Sequence, residues 1–83
     1  MTKITRAEWL REIDMLLTGT EHDKFARSHT MNKTATAFIL GVPIDQVPKI
    51  MRKAGYQGAK IGNSRYYDKG NIFEAAKLVG LFG

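Results

Sequence analysis

The chain has 83 residues, 13 of them Lys or Arg and 8 Asp or Glu, which gives a formal net charge of +5, and it has no cysteine. That length predicts one domain with a modest core, and the lack of cysteine excludes a disulfide scaffold or a thiolate metal site. No apolar run approaches the roughly 18 residues of a membrane span, and no signal-peptide pattern precedes the first predicted helix, so we expect a soluble cytoplasmic protein.

The first predicted helix begins after Thr5. Thr5 and Glu8 have the spacing of a capping box, and Gly19 is suited to ending the helix. The apolar residues between them recur on one helical face, and they are Trp9, Leu10, Ile13, Leu16 and Leu17. We interpret this stripe as part of the core. The alternative is a dimer seam, which an exposed Trp9 would favour.

Residues 20–31 give a weaker signal. A short helix that begins near Thr20 would carry Phe25 and Ala26, but it has few apolar anchors. His22 and His29 are interpreted as ordinary polar residues, because a metal site needs three or four converging ligands. We predict no metal site and treat this stretch as a connecting segment.

Two short helices joined at a glycine are predicted next. The first covers residues 33–40 and stops at Gly41, and residues 42–44 form a tight connection. The second helix begins at Asp45 or Gln46 and continues to Gly55, which keeps Pro48 within the first turn, where proline is tolerated. The side chains predicted to point inward from it are Val47, Ile50 and Met51.

The pattern then changes to strands. Residues 59–61 and 65–67 flank a three-residue link of turn formers at 62–64, which predicts a β-hairpin. A last helix follows, capped by Asp68 or by Asn71, and Asn71 and Glu74 have capping-box spacing. Its predicted apolar face consists of Ile72, Phe73, Ala76 and Val79. The predicted fold class is therefore mainly α with a small β-hairpin.

The helix pair at residues 33–55 has the features of a helix-turn-helix. Two helices that cross steeply need a small residue at the crossing and a turn residue that accepts positive φ. They also need two apolar side chains at a fixed distance beyond the turn. The residues that meet these demands are Ala37, Gly41, Val42, Val47 and Ile50. The alternative is an ordinary helical corner in a structural domain.

With these motifs, the segment from about Lys33 to Leu78 resembles the DNA-binding domain of MerR-type regulators and of phage or plasmid excisionases. Residues 37–42 are similar to the family's helix-end motif, and residues 62–67 followed by Asp68 are similar to its wing. The resemblance implies a winged helix-turn-helix at residues 32–83. Residues 1–31 would form an N-terminal helix and connecting segment for packing or dimerisation, in one compact domain with the rest.

The resemblance also implies which residues contact DNA. Residues 1–31 hold five Lys or Arg and five Asp or Glu, so the whole net charge of +5 belongs to residues 32–83 and favours a polyanion partner there. We expect the second helix in the major groove, and the hairpin on the adjacent backbone or minor groove. The predicted contacts are Lys33 and Thr34 on the first helix, Gln46, Lys49, Arg52 and Lys53 on the second, and Lys60, Asn63, Ser64 and Arg65 on the hairpin.

The predicted function is sequence-preferring binding of double-stranded DNA by a small transcriptional regulator of phage or plasmid type, associated with the nucleoid. The first alternative is an excisionase-like architectural factor that bends DNA, and the second is a protein-interaction module on the same fold. We predict no enzyme activity, no catalytic residue and no cofactor, because the sequence lacks a nucleophile or phosphate-loop motif. Expected partners are duplex DNA, a second copy through the N-terminal helix, and a recombinase or polymerase; no membrane is expected.

Overall fold

The structure, a computed structural model, describes residues 4–78 and Gly80. Its helices are α1 (Arg6–Leu17), α2 (Lys33–Leu40), α3 (Val47–Lys53) and α4 (Lys69–Leu78). Its strands are β1 (Thr30–Asn32), β2 (Ala59–Ile61) and β3 (Ser64–Asp68), and short 3₁₀ turns cover Asp23–Phe25 and Ile44–Gln46. This part of the chain is mainly helical with a small antiparallel sheet, which confirms the predicted class at that level.

Helix α1 begins with the predicted capping box. The Glu8 N–H donates to Thr5 Oγ1 at 3.2 Å, and the Thr5 N–H donates to Glu8 Oε1 at 3.2 Å. Trp9 is only 7% exposed, and its ring lies 5.3 Å from that of Phe73 in α4. Leu16 lies at the edge of the stripe and is exposed. The burial of Trp9 favours the core interpretation of the stripe.

Helix α2 ends as predicted. Gly41 adopts the left-handed conformation with φ 69°, and its N–H donates to the Ala37 carbonyl at 2.9 Å. The side chain of Asn32 caps the start of the helix, because its Oδ1 accepts from the Ala35 N–H at 2.8 Å.

The second helix is shorter than predicted at both ends, since it begins at Val47 and already ends at Lys53 rather than at Gly55. Pro43 is extended, and the chain then makes a 3₁₀ turn through Gln46, so α3 begins only at Val47 and Asp45 makes no capping hydrogen bond with its side chain. Pro48 lies in the first turn, as predicted. Val47 and Met51 are fully buried, while Ile50 is half-buried against the core.

The sheet has the order β1-β3-β2, with both pairs antiparallel. Strand β1 was not predicted; it places Met31 opposite Tyr67. The hairpin was predicted, but its link is shorter than expected, since Ser64 belongs to β3 and pairs with Ile61. Only residues 62–63 form the turn, and the positive φ of 63° at Gly62 suits such a two-residue connection.

Helix α4 is capped by Asp68, the first of the two predicted alternatives. Asp68 Oδ1 accepts from the Gly70 N–H at 2.8 Å and from the Asn71 N–H at 3.3 Å, so Asn71 lies inside the helix. The predicted inward residues Ile72, Phe73 and Ala76 are buried, and Val79 lies outside the described residues. Every helix in the described part of the chain is too short or too polar to span a bilayer.

Candidate nucleic-acid interface

An open cavity of about 390 Å³ lies between the start of α2 and the β2–β3 hairpin. The residues that line it are Asn32, Lys33, Thr34, Lys60, Asn63, Ser64 and Arg65. Six of these seven were predicted as DNA contacts from the sequence. The lining of the cavity combines three cationic side chains with hydroxyl and amide groups, all of which can donate hydrogen bonds to anionic oxygens.

The pairing of β1 with β3 brings α2 to the hairpin. Asn32 is the last residue of β1 and lies opposite Tyr66 in β3. Because α2 begins at the next residue, Lys33 and the first free N–H groups of the helix lie beside the hairpin. Donors from sequence positions about thirty residues apart therefore share one cavity.

Two cations face each other directly across the hairpin. Lys60 in β2 pairs with Arg65 in β3, so their side chains stand on the same face of the sheet. Like charges at directly opposed positions are destabilising. An anion bound between them would remove that cost.

A second cavity, of about 270 Å³, lies between α3 and the hairpin. It is lined by Pro48, Arg52, Tyr56, Gln57, Arg65 and Tyr67. Arg65 lines both cavities, so the two form one surface from α2 across the hairpin to α3. We call this surface the cationic groove and define it by Lys33, Thr34, Arg52, Lys60, Asn63, Ser64 and Arg65.

The guanidinium groups of the groove are close enough to act on a buried tyrosine. Burial raises the pKa of Tyr67, and the positive charges of Arg65 and then of Arg52 act against that effect. Arg65 is also held in place, because its Nη1 donates to the backbone carbonyl of Gln57. The two arginines, one on α3 and one on the hairpin, therefore contribute to the same local field.

The other predicted residues of the second helix lie outside this lining. Lys49 and Lys53 are exposed one turn apart on α3. Gln46 is half-buried and belongs to the 3₁₀ turn that precedes the helix. The structure thus brings seven of the ten predicted residues into the groove and leaves these three on or beside the neighbouring surface of α3.

Several residues that line the two cavities were not predicted from the sequence. Asn32 carried a usable signal, because asparagine directly before a helix is a preferred cap. Gln57 contributes its backbone carbonyl, which no side-chain pattern reveals. Pro48 and Tyr56 were assigned to helix structure or left without a role, and only the packing of the hairpin on α3 places them in the lining.

Comparison of the chain with protein-family models, with curated proteins and with solved structures found no match. Chemically, the groove offers several fixed cations and neutral donors along an open concave surface, an arrangement suited to an extended polyanion.

Proposed function

We propose that the protein binds double-stranded DNA, with α3 in the major groove and the β2–β3 hairpin on the adjacent backbone or minor groove. In this proposal it is a small transcriptional regulator of phage or plasmid type. The observation that carries the proposal is the cationic groove, in which Arg65 links cations of α2 and the hairpin to Arg52 of α3.

The chemistry of α3 and of the turn that precedes it supports a role in base recognition. Arg52 and Lys49 can donate to the N7 and O6 atoms of guanine, and Gln46 can pair with adenine through two hydrogen bonds. Lys53, at the end of the helix, is suited to a phosphate contact. The apolar side of α3 is buried through Val47 and Met51, so its polar side is free to enter the major groove of DNA.

The cavity at the start of α2 supports contacts to the DNA backbone. Lys33 and Thr34 lie at a helix start, where free N–H groups favour anionic oxygens. Across the cavity, Lys60 and Arg65 supply charge and Asn63 supplies a neutral donor. Contacts of this kind fix the position of a protein on a duplex without selecting its sequence.

One observation favours the architectural alternative as a second candidate. Ile61 stands directly before the hairpin turn and is 64% exposed. Proteins that bend DNA often insert an apolar side chain of this type between base steps in the minor groove. If Ile61 acts in this way, the parent bends its duplex and Ile61→Ala binds with a smaller bend angle, measured by fluorescence energy transfer between the duplex ends.

Selection from random duplex oligonucleotides tests the proposed function, with the mass of the protein measured in solution. We expect an enriched motif, and a log affinity that falls against log salt with a slope of roughly −4 to −6, from about five phosphate contacts. The symmetry of the motif and the mass together distinguish a monomer from a dimer formed through α1. No enriched motif, together with an affinity insensitive to salt, would refute duplex binding.

A further inference from the structure

The link between α3 and the hairpin is short and contains two glycines. It covers residues 54–58, with φ 89° at Gly55 and φ 73° at Gly58. Gly55 closes the end of α3, because its N–H donates to the Arg52 carbonyl at 2.9 Å. The Tyr56 N–H donates to the Met51 carbonyl at 2.9 Å. The first part of the link is therefore fastened to α3.

The last residue of the link is packed against β3. A Cβ atom at Gly58 would stand 2.6 Å from the Tyr66 carbonyl oxygen and 2.8 Å from Cδ1 and Cε1 of the Tyr67 ring. The contact with Tyr66 is to a backbone atom, and Tyr67 is only 2% exposed, so the neighbours of such a Cβ atom do not move aside without cost. Gly58 is thus required by a close contact as well as by its φ.

Gly55 provides the contrast. Its φ is also positive, but a Cβ atom there would meet no atom within 4 Å. Alanine at either position has the same kind of unfavourable backbone conformation. Only at Gly58 does alanine also push the link away from the sheet.

A second contact holds the same end of the link. The Arg65 guanidinium donates to the carbonyl of Gln57, the residue before Gly58. Two adjacent residues are therefore joined to β3, one by packing and one by a hydrogen bond from a charged donor. Because the other end of the link is hydrogen-bonded to α3, this short link determines the distance between the hairpin and that helix.

We propose that Gly58 is a positioning residue that fixes the distance between α3 and the hairpin, so that Arg52 and Arg65 meet one duplex without rearrangement. This inference rests on the proposed function. A groove that is already ordered loses less conformational entropy when it binds. A Cβ at position 58 would move the hairpin contacts out of reach while leaving every charge in the chain unchanged.

The first test measures the distance without DNA. The chain has no cysteine, so Lys53→Cys and Asn63→Cys can carry two spin labels, one on α3 and one at the hairpin turn. We expect one narrow distance distribution in the labelled parent and in its Gly55→Ala form, and a shifted or broader one in its Gly58→Ala form. The same distribution in all three would overturn the proposal.

The second test measures DNA binding by the unlabelled variants on the selected duplex. We expect Gly58→Ala to lower affinity by about tenfold or more, and to make the salt slope shallower by about 2 as the contacts of Lys60 and Arg65 are lost. Gly55→Ala should retain the parent slope. A variant that is only less stable has fewer folded molecules, but those molecules bind DNA with the same salt slope as the parent. Equal salt slopes and equal affinities for Gly58→Ala and Gly55→Ala would therefore overturn the proposal.

A third variant keeps the test decisive if Gly58→Ala does not fold. One glycine inserted between Tyr56 and Gln57 lengthens the link without adding a Cβ atom or changing the charge. It should broaden the label distance and weaken binding in the same way, and no change in either would overturn the proposal. If the parent itself fails to bind duplex DNA, the proposed function fails, and the label distances still decide whether Gly58 sets the geometry.

Discussion

Arg52 of α3 and Arg65 of the hairpin line the same cleft, and both of their positive charges act on the hydroxyl of Tyr67. They belong to elements separated by a turn, a link and a strand, and neither element alone forms a groove. In the proposed function, this convergence lets one duplex contact the helix and the hairpin together.

Removal of the Asp14 carboxylate should destabilise the domain. Lys69 is 4% exposed, and its Nζ donates to Asp14 Oδ1 at 2.7 Å and to the Ala26 carbonyl at 3.4 Å. Asp14→Ala leaves that ammonium buried with only the longer contact. Because the Asp14 side chain is 49% exposed, we expect a loss of about 2 kcal/mol, below the usual cost of breaking a fully buried pair. Urea unfolding followed by Trp9 fluorescence measures it.

Two controls separate this charge effect from a general weakening of α1. Glu12→Ala removes an exposed carboxylate from the same helix and should change the free energy of unfolding by about 0.5 kcal/mol or less. Lys69→Met replaces the ammonium by an apolar group of similar length and should cost about 1 kcal/mol or less. If Lys69→Met is more damaging than Asp14→Ala, the pair stabilises the fold by more than its desolvation costs, contrary to this account.

The backbone conformation at the end of α2 predicts a graded effect of side chains at Gly41. An added Cβ meets no atom within 4 Å, but φ is 69°. Gly41→Ala should therefore lower the free energy of unfolding by about 1 kcal/mol through backbone strain alone. Gly41→Asn should cost less, since asparagine tolerates this conformation better. Equal stability of both variants and the parent in thermal unfolding would show that φ at this position is not fixed.

The capping box of α1 predicts a pH dependence. Hydrogen bonds from the Thr5 side chain and then from its backbone lower the pKa of Glu8 from its ordinary value of 4.5. A carboxyl group whose pKa is lower in the folded state stabilises the fold above its unfolded pKa, and that stabilisation is lost as the pH falls through the folded value.

Glu8→Gln is the matched variant, because it keeps the hydrogen-bond acceptor and removes the charge. Thermal unfolding should show the parent to be the more stable at neutral pH, with the difference disappearing below the lowered pKa. A stability difference that stays constant through the acid range would contradict a role for the charge.

Local signals in the sequence predicted much of the helical structure. Thr5 with Glu8 identified the start of α1, and Gly41 identified the end of α2, because each depends on residues within one helical turn. The start of α3 was misplaced, since the conformation of Pro43 directs the chain into a 3₁₀ turn that has no apolar period of its own.

The sheet and the groove depend on longer-range contacts. Strand β1 has three residues and becomes a strand by pairing with β3, more than thirty residues away. The sequence analysis expected the second helix and the hairpin to meet one duplex, but without strand β1 it gave no reason for Lys33 to lie beside the hairpin. The roles of Gln57 and Gly58 follow from backbone contacts, which leave no pattern in the side chains.

Duplex binding by the double variant Arg52→Ala/Arg65→Ala, compared with Arg11→Ala/Arg27→Ala, tests the central claim most directly. Arg11 and Arg27 are both exposed and lie outside the cationic groove, so the control removes the same charge. We expect the groove variant to remain folded, to lose about a hundredfold or more in affinity and to show a salt slope shallower by about 2, while the control changes little. If the groove variant binds as tightly as the parent, or the control loses as much, then Arg52 and Arg65 do not contact one duplex.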